Sequence, residues 1–191
     1  PGEIILSARY FKPKIGVITQ IGVDHLSGCR SLDNYILAKG EMLTVLGDRG
    51  ILIINNDDDN IKKIDFSSFK GKVRTFGILN QADFFASNIL YKDNFMEFIL
   101  HYNNKKYDVR LPGLGEHNVY NALSALLVLD SLGINLKQAI GDLGHYEPLK
   151  SHFEIYQGLN GSTVIDDTWS SNPTSVKAAL GTLQLLKEIG R

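Results

Sequence analysis

Ile15-Gly16-Val17-Ile18-Thr19-Gln20-Ile21-Gly22-Val23-Asp24-His25-Leu26 is the stretch that decides the fold. Its first seven residues are rich in Ile and Val without strict alternation, which predicts a short strand buried on both faces of a sheet and ending at Gln20 or Ile21. An acid and an imidazole follow at once, in the loop where open α/β sheets place their ligands. Asp24-His25 therefore sits at a candidate site.

The next segment predicts a helix with Ser31 or Asp33 as its N-cap, because Leu32, Ile36, Leu43 and Leu46 fall at helical spacing. Lys39 lies on that same apolar stripe. Burying an ammonium is costly, so such a lysine either finds anionic partners or shifts toward the neutral amine, which can add carbon dioxide and become a carbamate. A carbamylated Lys39 would act as a carboxylate and could hold Mg²⁺. Taken alone, the commoner arrangement is a lysine that snorkels to the helix edge or pairs with Glu41 or Asp24.

Working outward, Ile51-Leu52-Ile53-Ile54-Asn55 is a second buried strand, so strand, helix and strand form a crossover unit with parallel strands. Asn56 to Asn60 holds three consecutive aspartates. A calcium loop needs alternating ligands and a central glycine, so a solvated strand-end loop is expected here. Lys72 to Gly77 is a third strand. Phe84 to Ile89, Phe95 to Tyr102 and Lys106 to Leu111 predict a small antiparallel meander at the sheet edge, with His101 pointing outward and carrying no role. Upstream of the first strand, Ile4 to Arg9 reads as a helix end or short connector.

Pro112-Gly113-Leu114-Gly115-Glu116-His117-Asn118 is a glycine-bearing loop that opens onto a helix predicted from Val119 to Leu132. Asn118 and Asn121 fall in its first turn, and a pair of amides there can read a heterocycle edge such as adenine, although in isolation the commoner role of Asn118 is to cap the helix. Asn135 to Leu143 is a shorter helix. Gly144 to Lys150, with Pro148, reads as a hinge between two separately packed units. Two strands, Ser151 to Tyr156 and Ser162 to Ile165, then lead into Asp166-Asp167-Thr168-Trp169-Ser170-Ser171-Asn172-Pro173 and a helix from Thr174, a second site-like loop at a strand end.

Composition sets the outer limits. The 191 residues are 43% hydrophobic, enough for a proper core, and 20 basic against 21 acidic residues leave no electrostatic case for nucleic acid or a membrane surface. The lone Cys29 excludes an internal disulfide and fits a reducing, cytoplasmic setting. No apolar run approaches the roughly 18 to 20 residues of a membrane span, and no signal peptide is visible. No Walker A sequence occurs, since the Gly71-Lys72 pair is followed by Val73 and lacks the earlier glycine. Pro1-Gly2-Glu3-Ile4 without an initiator methionine, and a final helix that stops where a strand should follow, predict a piece of a larger protein.

Together, Ile15 to Leu26, Ala38-Lys39-Gly40-Glu41-Met42, Gly115-Glu116-His117-Asn118-Val119-Tyr120-Asn121-Ala122-Leu123-Ser124-Ala125 and Val164 to Pro173 resemble, in order, the motifs of the Mur ligase family, the ATP-dependent amide ligases of peptidoglycan synthesis. The fourteen-residue step from His25 to Lys39 is similar to the family's spacing. The resemblance implies a mostly parallel α/β sheet with flanking helices and a small antiparallel meander, followed by the start of a Rossmann-like C-terminal domain. Residues 1–146 would be the second half of the central ATP-binding domain and residues 147–191 the beginning of the C-terminal one. The phosphate loop would lie upstream of Pro1. By the same resemblance His25 and a carbamylated Lys39 serve a Mg²⁺ site and are catalytic, Asn118 and Asn121 lie at the adenine, Asp167 reaches the ribose, and His117 and His152 lie at the nucleotide.

The implied reaction passes the γ-phosphoryl of ATP to a substrate carboxylate, and an incoming amine then attacks the acyl phosphate. The stretch Asp166 to Pro173 resembles most the type that adds D-alanyl-D-alanine to a nucleotide-linked muramoyl tripeptide. The expected partners are that peptide precursor and an amino acid or dipeptide, and the protein is expected to be a cytoplasmic monomer. Two departures stand out: His152 replaces the family's usual arginine before Phe153-Glu154, and Trp169 stands where a tyrosine is common. A folylpolyglutamate, polyglutamate or cyanophycin ligase, or a nucleotide-binding pseudoenzyme scaffold, are the alternatives.

Overall fold

The computed structural model describes residues 2–22, 26–92, 94–169 and 172–188. Helix α1 (Glu3–Phe11) precedes β1 (Ile15–Ile18), then come a short helix α2 (Leu26–Cys29), α3 (Leu32–Leu46), β2 (Ile51–Asn55) and β3 (Lys72–Gly77). The meander follows as β4 (Phe84–Tyr91), β5 (Phe95–Tyr102) and β6 (Lys105–Pro112), then α4 (Glu116–Ser131) and α5 (Leu136–Leu143). The tail carries β7 (Glu154–Gln157), β8 (Thr163–Asp166) and α6 (Pro173–Glu188).

Strands β1 to β6 form one sheet in sequence order. The pairings from β1 to β4 are parallel and the last two are antiparallel, while β7 and β8 make a separate antiparallel pair. Alternate residues of β2 feed opposite faces, which is why the strand is apolar throughout. Leu52 and Ile54 join Ile36 and Leu46 of α3 in one core, whereas Ile53 joins Phe76, Phe84, Leu123 and Leu127 in a larger core under α4. The mixed α/β architecture expected from the sequence is the one observed. Ser31 caps α3 as expected, its hydroxyl accepting from the Asn34 N–H at 3.2 Å.

Several boundaries and roles depart from expectation. The segment before β1 is a nine-residue helix, α1, and β1 ends at Ile18, short of Gln20, because Thr19 to Gly22 turn toward the acidic loop, where the Ile21 N–H meets Asp58 at 2.9 Å. Helix α4 starts three residues early, at Glu116, with Gly115 as its N-cap at φ 104°, a conformation L side chains rarely adopt. His101 is not idle, since its Nε2 lies 2.7 Å from the Ser87 hydroxyl and its ring tilts against Phe85. The hinge expectation also fails in its packing. Phe153 and Leu186 from the tail join the larger core, against which Leu143 packs as well, so the two segments share apolar contacts across Gly144 to Lys150.

A buried ion pair ties the larger core together. Arg74 on β3, 6% exposed, donates to Asp130 at 2.6 Å and to Ser131 at 2.9 Å, and the Tyr102 hydroxyl donates to the same Asp130 oxygen at 2.9 Å. The guanidinium lies 5.7 Å from the centre of the Phe84 ring. This network joins β3, β5 and α4 on one side of the sheet.

Candidate functional site

At the carboxyl ends of β1 and β2 the sheet, the start of α4 and the tail enclose a cleft of about 710 Å³. Parallel strands leave their loops on one side, so Thr19 to Gly22 after β1 and Asn55 to Asn60 after β2 open onto the same space. Helix α4 points its first turns at it, and α6 begins beside it. The Thr174 hydroxyl would stand 3.2 Å from a Cβ added at Gly22, which shows how closely α6 approaches the β1 loop.

Of the three aspartates after β2, Asp59 is solvated as expected, whereas Asp57 and Asp58 are half-buried and hydrogen-bonded. Asp57 gathers three successive backbone N–H groups, Ile78 at 2.6 Å, Leu79 at 3.0 Å and Asn80 at 2.7 Å, and the Tyr120 hydroxyl of α4 donates to it at 2.9 Å. Burial works against the charge on Asp57, but these donors outweigh it and hold its carboxyl below the ordinary value. Burial and the Asp57 carboxylate push the Tyr120 hydroxyl far up, so it remains a donor. Asp58 accepts from Ile21, Asn60 and Ile61, which fixes the β1 loop against the β2 loop. Sequence reasoning missed both roles, because the donors to Asp57 arrive more than twenty residues later and no local pattern marks them.

Five residues singled out from the sequence line this cleft: His117, Asn118, Asn121, His152 and Asp167. His117 folds back on Gly115, where an added Cβ would meet its ring at 2.4 Å. Burial lowers the His117 pKa, Asp167 opposes that shift and His152 adds to it. Asn118 is not a cap, for it stands at the third helical position and its amide donates to the Leu114 carbonyl at 2.8 Å. Asn121 is exposed.

The tail presents the other two residues from an unusual backbone. Ser151 and Phe153, on either side of His152, have φ of 59° and 55°. The Asp167 carboxylate accepts from the Phe153 N–H at 3.1 Å. The His152 Nδ1 lies 2.9 Å from the Lys150 carbonyl, which can only accept, so Nδ1 carries the proton and Nε2 is left for the cleft. His152 stacks on Trp169, with centroids 5.9 Å apart. The two positions read as departures from the family pattern are thus in contact with each other.

Lys39 is not among the residues that line the cleft. Lys39 is half-buried on α3, with Nζ 5.0 Å from the centre of the Tyr35 ring, and among the described residues no carboxylate pairs with it. Glu41, a partner considered for it, instead accepts from the Gly2 N–H. Asp24 and His25 lie outside the described residues. Among the described residues no three His, Cys, Asp or Glu side chains gather to hold a metal ion. Nor is there a described lysine or arginine in the cleft lining, which is acidic with Asp57, Asp58, Asp59, Glu116 and Asp167. No described helix is long and apolar enough to cross a membrane.

Residues 5–129 match the family model described as the Mur ligase middle domain. The chain is 32% identical over 184 residues to the UDP-N-acetylmuramoyl-tripeptide--D-alanyl-D-alanine ligase of Buchnera aphidicola, covering 96% of this chain and 40% of that protein. It is 31% identical over 188 residues to the UDP-N-acetylmuramate--L-alanine ligase of Caldicellulosiruptor bescii, covering 97% and 41%. Among solved structures, MurF from Acinetobacter baumannii superposes with a TM-score of 0.87 at 31% identity, over 96% of this chain and 40% of that one. The chain therefore spans about two fifths of the length of the relatives it matches.

Proposed function

This chain belongs to the Mur ligase family, and from that premise we propose that it forms the nucleoside side of the ATP site in an amide-forming ligase of peptidoglycan precursor synthesis. Within that reading, residues 1–146 are the second half of the ATP-binding domain and residues 147–191 the start of the C-terminal domain. The observation that carries it is the convergence of α4 and the tail on one cleft, where His117, Asn118, Asn121, His152 and Asp167 face a common space without a described lysine or arginine. An acidic lining suits a neutral base and sugar, not a triphosphate. The phosphates would then extend toward Gly22.

Asn118 and Asn121 meet the edge of the adenine, and Asp167 accepts from a ribose hydroxyl. His152, held by the Lys150 carbonyl and Trp169, offers Nε2 to the nucleotide in place of an arginine fork, a weaker contact without the guanidinium's paired donors. The residues proposed to hold Mg²⁺ are a carbamylated Lys39 and His25. When bound, the metal would offset charge on the phosphate oxygens. The protein's own contribution is to position the acyl phosphate and the attacking amine and to keep water from both.

The relatives include ligases named for D-alanyl-D-alanine and for L-alanine. We assign the D-alanyl-D-alanine type, acting on a UDP-muramoyl tripeptide in the cytoplasm as a monomer, on the resemblance of Asp166 to Pro173 and on the fit to MurF. The test is phosphate release by the complete polypeptide with Mg²⁺, ATP and a panel of carboxylate and amine substrates. Turnover is expected only when the muramoyl tripeptide and D-alanyl-D-alanine are both present. Turnover with UDP-N-acetylmuramate and L-alanine would replace that assignment, and none with any pair would point to a scaffold.

A further inference from the structure

Leu79 is the odd residue of the cleft. It lines the cavity, is 77% exposed, and stands among Asn55, Asp57, Asp58 and Asp59, where nothing in the core requires an apolar side chain. Yet its backbone is held by a side chain. The Leu79 N–H donates to Asp57 at 3.0 Å, its neighbours Ile78 and Asn80 donate to the same carboxylate, and a Cβ at Gly77 would stand 3.0 Å from it, so the loop wraps closely. The Asp57 oxygen that holds Leu79 also accepts from Tyr120, which lies on α4 between Asn118 and Asn121. One carboxylate thus fixes an exposed leucine relative to the helix turn that carries both amides.

We propose that Leu79 is a ligand contact, its side chain covering the apolar face of a planar heterocycle whose polar edge meets Asn118 and Asn121, and that the Asp57 and Tyr120 pair sets the spacing between them. The proposal rests on the reading of the cleft as a nucleoside site. Because the backbone is already held by Asp57, binding restricts only the leucine side chain, a small ordering cost beside the apolar area it covers. Tyr120 is then a positioning residue, acting through Asp57 and not on the ligand.

The experiment measures ADP affinity by calorimetry, and melting temperature without ligand, for the complete polypeptide and its Leu79→Met, Leu79→Asp and Tyr120→Phe variants. Leu79→Asp is expected to weaken ADP binding about tenfold with an unchanged melting temperature, because the side chain is exposed and its loss leaves the fold intact. Leu79→Met should bind like wild type, since it keeps an apolar surface of similar volume. Tyr120→Phe should weaken ADP by about threefold. A Leu79→Asp protein that binds ADP within about twofold of wild type, or one whose melting temperature falls together with its affinity, overturns the proposal. Wild type that binds no ADP would remove the nucleoside reading itself.

Discussion

The two walls of the cleft are made by different physics. The sheet wall rests on strands that carry the centre of the core, with Leu52, Ile53 and Phe76 at 0% exposure, and its loops are fixed by Asp57 and Asp58. The tail wall rests on a two-stranded sheet that leaves Ile155, Tyr156 and Val164 exposed, and it reaches the main core mainly through Phe153 and Leu186. A site divided in this way can be closed or opened by moving the thinly anchored wall against the firm one, at the cost of few contacts.

The largest expected effect falls on a residue off both walls. In the complete polypeptide Lys39→Ala should reduce turnover by at least about a hundredfold, the scale for losing a group that orients charge in the transition state. Short-chain carboxylic acids should partly restore it by replacing the carbamate oxygens. A Lys39→Arg protein with normal turnover would show that only positive charge is wanted there and would end the carbamate reading. The half-buried lysine over Tyr35 is compatible with either chemistry, so the rescue decides.

Within the sheet wall the greatest cost should come from Arg74→Ala. It leaves the largely buried Asp130 carboxylate without its cation, with the Tyr102 hydroxyl still donating to it, and should lower stability by about 3 kcal/mol, read as a urea midpoint. Replacing Arg74 and Asp130 together with Met and Leu should recover most of that loss. If Arg74→Ala were as mild as a tail substitution such as Ile155→Ala, the contrast between the walls would collapse.

Asp57→Ala should cost about 2 kcal/mol by leaving the N–H groups of Ile78, Leu79 and Asn80 without their acceptor. The pH dependence follows from the sign of the shift. The folded carboxyl lies below its ordinary value, so its stabilisation is present above the unfolded value near 3.8 and is lost as pH falls through the lower folded one. Asp57→Asn should therefore flatten part of the acid limb of a urea titration below about pH 4.

What the chain displays in its own order and what it hides divide along the same line. Apolar runs reveal β1 and β2, and spacing with turn residues reveals α3, β3 and the meander, because each of these signals is local. The cleft residues His117, Asn118, Asn121, His152 and Asp167 were named from motifs, and the structure places them together. Asp57, Tyr120, Arg74 and Leu79 left no such trace. Each owes its role to a partner on another element, and no spacing along the chain encodes that pairing. The start of α4 was misjudged for a related reason, since Gly115 at positive φ lets the helix begin before its apolar stripe does.

The smallest effect lies at the seam between the walls. His117 has a folded pKa below its ordinary 6.5 because burial disfavours the imidazolium, and the nearby Asp167 does not fully offset this. The unfolded chain therefore binds more protons than the folded one between the lowered value and 6.5, so this residue's contribution is complete above pH 6.5 and shrinks as pH falls through the lowered folded value. His117→Gln should remove only that slope, a few tenths of a kcal/mol near pH 6, and leave the Asp57 limb untouched. Asp167→Asn in the otherwise natural chain should steepen the slope, because it removes the one neighbour named here that favours the charged ring. Equal slopes in the Asp167→Asn and natural proteins would mean that the tail wall stands too far from α4 in solution for its carboxylate to be felt, and the seam would have to be drawn as open.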